Sequence, residues 1–308
     1  MEAKGKNNDS WTEPYSSSPN SFSSTLPLPK GLTLEVTPLF RPKLWSFLAQ
    51  RAFNRKGTYI KSYYSHLLEK PNPLLLAQVD KDIRRTGFST ASSLLEGKNS
   101  SVIPSIAENL RNILLAYAKH DQHTGYMQGM NFIAAGILVS LQESIEHLER
   151  LKSKKPFFET EAELEEFCFW VLDFLFRERE FRKIFDPDLG KIEDLLNKFE
   201  QQLDENGLLF VSETLKNGEI GLMPIFGGFF FTAGLNRLPI ELISKTLDGV
   251  LSEGTSFISR ILIFMMVKCS QRLRELSESP IDLYEFLAKD LVSFFLRKFP
   301  NFESILFS

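Results

Sequence analysis

Cysteine is scarce: there are two in 308 residues, Cys168 and Cys269, each in a strongly apolar stretch. They read as buried thiols of a reducing compartment, not as a disulfide framework or a nucleophile. Excess charge is missing as well. The formal net charge is −3, which gives no electrostatic footprint for nucleic acid or for an anionic membrane. Long apolar runs are also absent. The strongest, around 226–235 and 261–267, are too short or too interrupted by glycine to cross a bilayer. The first residues carry no charged start followed by an apolar run, so no secretory signal is expected and the cytosol is the expected location.

The usual catalytic constellations are lacking too. Glu96–Gly97–Lys98–Asn99 has the look of a phosphate-binding loop, but Ser92 stands where its first glycine belongs, and Asn99 replaces the hydroxyl that would hold magnesium. The chain is therefore expected to bind no nucleotide of its own. Of the four histidines, only His120 and His123 lie close, at what reads as a helix end followed by a loop, and no further metal ligands stand near them. Neither a Gly-x-Ser-x-Gly elbow nor a Cys–His signature occurs. No self-contained active site and no metal are expected.

What the chain does have is apolar mass in helical register. Hydrophobic residues make up 43% of it, with 28 phenylalanines, enough for a substantial core of packed helices. Ile103, Ile106, Leu110, Ile113, Leu114 and Tyr117 recur at spacings of three and four, as do Phe132, Ile133, Ile137, Leu138 and Leu141. Further helices are expected over 164–176, 191–203, 240–251, 258–267 and 283–296. Breaks are expected at Pro187, Gly207, Gly218, Pro239, Gly254 and Pro280. No alternating pattern suggests a sheet, and no fixed period suggests a solenoid. Phe226, Phe229, Phe230 and Phe231 read as core. The fold class is all-α. Residues 1–30, rich in Ser, Asn and Pro, read as a disordered tail. Residues 31–308 form the domain, its two helical lobes covering approximately 31–150 and 160–308. The Lys-rich stretch Lys152, Lys154, Lys155 before Pro156 reads as a solvated loop between them.

Three segments remain. One holds Arg41 four residues before Trp45. Another runs Val79–Asp80–Lys81–Asp82–Ile83–Arg84–Arg85–Thr86. The third is Gly125–Tyr126–Met127–Gln128–Gly129–Met130–Asn131. In this order and at this separation they resemble the TBC family of Rab GTPase-activating proteins. The family's aliphatic-x-x-Asp-x-x-Arg-Thr pattern fits Val79, Asp82, Arg85 and Thr86. Its Tyr-x-Gln-Gly-Met pattern fits Tyr126, Gln128, Gly129 and Met130, and its entry pattern fits Arg41 and Trp45. Downstream, Leu238–Pro239 and the Asp248 to Gly254 stretch continue the likeness. The chain departs from the pattern in Gly87–Phe88 after the threonine, and in the Phe-rich block that replaces a tryptophan before Leu-Pro.

The resemblance implies an all-α fold and acceleration of GTP hydrolysis on a Rab-type GTPase in its GTP-bound state. It implies no cofactor beyond the GTP and Mg held by that partner, and peripheral membrane association through partners at most. Arg85 would be the arginine finger and Gln128 the glutamine finger. The physics suits both assignments: a guanidinium carries permanent charge with donors fixed in a plane, and a carboxamide offers a donor and an acceptor in one group. Among supporting residues, Asp82 is expected to pair with Arg85 on one helix face. Tyr126 is expected to pack beneath the glutamine loop, and Gly129 to let the backbone pass close to the partner. Arg84 competes with Arg85 on residue type, and only the register of the resemblance selects between them. For Arg41 and Trp45, one turn apart, a cation–π or core role is expected. The competing function is a Rab-binding scaffold that keeps the fold without hydrolysis; a third is a helical adaptor acting through the Ser-rich tail.

Overall fold

The computed structural model describes residues 37, 38, 40–54, 63–86, 102–150, 157, 158, 160–179, 181–186 and 190–301. The expected tail 1–30, the 96–99 and Lys-rich segments and Pro187 lie outside the described residues. In chain order the helices are α1 (Arg41–Asn54), α2 (Tyr63–Leu68), α3 (Pro73–Arg85), α4 (Val102–His120), α5 (Met130–Arg150), α6 (Glu161–Glu178), α7 (Phe181–Ile184) and α8 (Gly190–Glu205). They continue as α9 (Leu209–Asn217), α10 (Met223–Phe231), α11 (Ile243–Glu253), α12 (Thr255–Lys268), α13 (Ser270–Leu276), α14 (Pro280–Glu285) and α15 (Leu291–Lys298). The fold is all-α, and among the described residues there is no strand. None of the described helices is long and apolar enough to cross a membrane.

The periodic segments fold as their spacing requires. Ile106, Leu110, Ile113, Leu114 and Tyr117 are all buried along one side of α4. α6 buries Leu164, Phe167, Cys168, Phe169, Val171, Leu172, Phe174, Leu175 and Phe176, and with them Glu165 and Asp173. A helix buried on so many sides belongs in the middle of a core, and α1, α4 and α5 all pack against this one. Some boundaries differ from expectation. Pro280 does not break a helix but begins one, in the first turn of α14 behind the Ser279 cap. The stretch expected as one helix over 283–296 contains a π-helical segment, Phe286–Asp290, between α14 and α15. Both cysteines are free and buried, and burial pushes the Cys269 thiol up to about 11.

Arg41 and Trp45 do more than pack. Both side chains turn from α1 to Asp248 on α11, some two hundred residues away. Arg41 Nη2 donates to Asp248 Oδ2 at 3.0 Å, and Trp45 Nε1 to Oδ1 at 2.8 Å. Arg41 also reaches Glu143 at 3.5 Å, and Ser244 donates to the same Glu143 carboxylate at 2.7 Å. This fastens α1, α5 and α11 together through a cation whose side chain is 3% exposed. Removing one member of a buried ion pair strands the other, so Arg41→Ala is expected to cost on the order of 3–5 kcal/mol in urea unfolding. Burial, opposed by Arg41 and Trp45, pushes Asp248 up to about 6. Because that lies above the unfolded value, the group's stabilising contribution is complete at low pH and is lost as pH rises through about 6. Asp248→Asn, which resembles the protonated acid and does not titrate, should therefore gain stability relative to the wild type between about pH 4 and about pH 7.

Candidate functional site

α3 delivers the candidate arginine at its last position. Its start is set by Asn72, whose side-chain oxygen accepts from the Leu74 amide at 2.9 Å, with Pro73 in the first turn. Its end is set by Thr86. The Thr86 amide donates to the Ile83 carbonyl at 3.1 Å and its hydroxyl to the Asp82 carbonyl at 2.8 Å. Two last-turn carbonyls without a helical partner are thereby satisfied. Val79, Asp82 and Ile83 face inward, whereas Lys81, Arg84 and Arg85 are exposed. Exposure therefore does not separate Arg84 from Arg85.

Asp82 does not pair with Arg85 as its spacing suggested. Its side chain turns inward, where Tyr126 donates its hydroxyl to Asp82 Oδ2 at 3.0 Å across 44 residues of sequence. Burial and the neighbouring Asp82 carboxylate raise the Tyr126 hydroxyl above its ordinary range, so it stays protonated and remains the donor. Tyr126 is thus buried beside the glutamine loop with a specific partner on α3.

The loop between α4 and α5 presents Gln128, which is exposed between the buried Tyr126 and the buried Gly129. The loop is anchored at its start by Asp121, where Thr124 donates at 2.9 Å, Tyr117 at 3.2 Å and Arg182 of α7 at 2.6 Å. Burial opposes the charge on Asp121, yet these donors outweigh it and hold the carboxyl below its ordinary range. His120 and His123, three positions apart in sequence, part company here. His120 lies within 3.0 Å of Asp173 and 2.7 Å of Tyr63, whereas His123 faces Asp186 at 3.7 Å.

Gly129 has a backbone role within the chain itself. Its φ is 113°, and a Cβ there would stand 2.7 Å from the Phe231 carbonyl oxygen at the end of α10. The close approach is to the protein's own backbone. Phe226, Phe229 and Phe230 are buried as core, while half-buried Phe231 forms the wall behind the loop. Gly129→Ala is expected to cost about 1–3 kcal/mol in urea unfolding. Gly125→Ala, with φ 62° but open space around it, should cost only about 1–2 kcal/mol. Met130 is fully buried at the start of α5, with its sulfur 3.5 Å from the Met127 amide.

Asn131, in the first turn of α5, was not singled out by the sequence. It is 1% exposed. Its Oδ1 accepts from the Gly129 amide at 2.9 Å, and its Nδ2 donates to Thr86 Oγ1 at 2.8 Å. The only local signal was the tendency of Asn to bond backbone two residues away; the Thr86 contact, 45 residues distant, has no sequence signature. The Arg85 turn and the Gln128 loop are therefore tied by two bridges, Tyr126–Asp82 and Asn131–Thr86, and the Arg85 and Gln128 side chains are both exposed.

An arginine and a glutamine on two joined loops offer positive charge and a bifunctional amide to a phosphate outside the chain. Comparison with known proteins places the chain. The model of the family described as Rab-GTPase-TBC domain matches residues 38–274, which include α3 and the Gln128 loop. The chain belongs to this family. It is 24% identical over 268 residues to GTPase-activating protein GYP5 of Saccharomyces cerevisiae, covering 87% of this chain and 26% of that protein. It is 24% identical over 246 residues to Growth hormone-regulated TBC protein 1 of Xenopus tropicalis, covering 78% of this chain and 62% of that one. The chain thus spans about a quarter of the length of GYP5 and less than two thirds of the TBC protein. Among solved structures, the Chlamydomonas flagellar RabGAP TBC domain superposes with a TM-score of 0.60 at 17% identity, covering 85% of this chain and 79% of that one. This TBC-domain protein therefore shares its all-helical fold.

Proposed function

We propose that this TBC-domain protein accelerates hydrolysis of GTP bound, with Mg, to a Rab-type GTPase. Arg85 and Gln128 enter the partner's site in trans. Hydrolysis on such GTPases is limited by charge developing on the phosphoryl oxygens and by poor placement of the attacking water. The Arg85 guanidinium neutralises that charge with fixed, planar donors. The Gln128 carboxamide accepts a hydrogen bond from the water through Oε1 and donates one to the γ-phosphate through Nε2, which orients the nucleophile. Residues 31–308 supply this activity in the cytoplasm, at membranes only through the partner, and need no cofactor of their own.

The observation that carries the reading is the paired exposure of Arg85 and Gln128 beside two bridges, one buried and one half-buried, that tie their segments together. A scaffold that merely binds has no use for a rigid spacing between two such groups. The test is single-turnover GTP hydrolysis across a panel of Rab GTPases. Faster hydrolysis on at least one member supports the proposal. Binding to GTP-loaded members with no change in rate on any of them would instead establish the scaffold.

A further inference from the structure

The orientation of the Asn131 amide follows from its neighbours. The Gly129 N–H can only donate, so the atom 2.9 Å from it is Oδ1. Nδ2 is then the group that donates to Thr86 Oγ1 at 2.8 Å, and the Thr86 proton passes on to the Asp82 carbonyl at 2.8 Å. Every donor direction in this relay is determined. It runs from the residue after Gln128 to the residue after Arg85. The Tyr126–Asp82 bond, at 3.0 Å, joins the far sides of the same two segments. Each exposed side chain thus has an anchor before it and an anchor after it, and each anchor is bonded to the other segment.

We infer that Asn131 is a positioning residue for the reaction, fixing the separation of Arg85 and Gln128 without touching the substrate. The inference rests on the activity proposed above. Two groups that must meet one γ-phosphate and one water together are sensitive to spacing, and a misplacement of about 1 Å costs on the order of 10²-fold in rate. Binding of the partner depends on a far larger surface and does not share that sensitivity. Losing the relay therefore lowers the rate of the bound complex and spares its formation.

The experiment titrates the 308-residue wild type, Asn131→Ala, Thr86→Val and the double variant against the Rab GTPase that the wild type accelerates most. At saturation the hydrolysis rate is expected to fall about 10²-fold in Asn131→Ala, with the half-saturating concentration within about threefold of wild type. Thr86→Val falls in the same direction, and the double variant loses no more than Asn131→Ala alone, since both cut one relay. Thr86→Ser, which keeps the hydroxyl, recovers most of the rate lost in Thr86→Val. Wild-type rates at saturation, or a change confined to the half-saturating concentration, would overturn the inference. Should Asn131→Ala fail to fold, the half-buried Thr86→Val decides by the same criteria. A second readout needs no GTPase: exchange of the Gly129 amide proton should quicken about tenfold in Thr86→Val, as one bond's support is lost. Unchanged protection overturns the relay. A wild type inert on every GTPase, with Gly129 exchange still responding, would reject the activity and the rate effect while leaving the relay in place.

Discussion

Replacing Arg85 with alanine is expected to lower the single-turnover rate of GTP hydrolysis at saturating TBC-domain protein by about 10³–10⁵-fold. The size follows from the task. Charge on the phosphoryl oxygens grows toward the transition state, so a guanidinium that meets it there acts on the rate and contributes little to ground-state binding. Arg85→Lys should recover little of the loss, because an ammonium is a point charge without the planar fork. Arg84→Ala is the control that the structure demands, since both arginines are exposed at the end of α3. If Arg84→Ala carries the large loss and Arg85→Ala the small one, the finger has been assigned one position too late.

Gln128→Ala should reduce the same rate by about 10²–10³-fold, the scale of removing one preorganised donor from a developing charge. Gln128→Glu separates the two halves of the amide's work. It keeps an acceptor for the water but replaces the donor with negative charge beside the γ-phosphate, and it is expected to be no better than alanine. Because the Gln128 side chain is exposed, neither substitution disturbs the core. Thermal unfolding of both variants should match that of the wild type within the error of the measurement.

Much of the fold was legible because its helices are amphipathic. α4 and α5 show their buried faces at spacings of three and four, and both formed where that spacing placed them. α10 carries no such mark. Met223–Phe231 is apolar throughout and holds two glycines, so periodicity cannot distinguish its core face from any other. The break between α14 and α15 was hidden for a related reason. The apolar residues continue through the π-helical segment, and only the backbone hydrogen bonds change register.

The candidate site was legible one segment at a time. Arg85 at a helix end and Gln128 ahead of a helix followed from the local pattern. What joins them did not. Asp82 looked like a partner for Arg85 because three residues separate them, but the buried Tyr126 hydroxyl offers it a bond shielded from water, which an exposed guanidinium does not. Asp248 shows the same logic on a larger scale. Its role as acceptor for both Arg41 and Trp45 depends on α1 and α11 meeting across more than two hundred residues, and no local rule reaches that far.

The central claim is that Arg85 and Gln128 act in trans on the transition state of a Rab GTPase. Its most direct test is the binding of wild type, Arg85→Ala and Gln128→Ala to that GTPase loaded with GDP, with and without aluminium fluoride, which stands in for the transferring phosphoryl group. Wild type is expected to bind the aluminium fluoride form far more tightly than the GDP form, and both variants to lose that preference. An undiminished preference in Arg85→Ala would contradict the account.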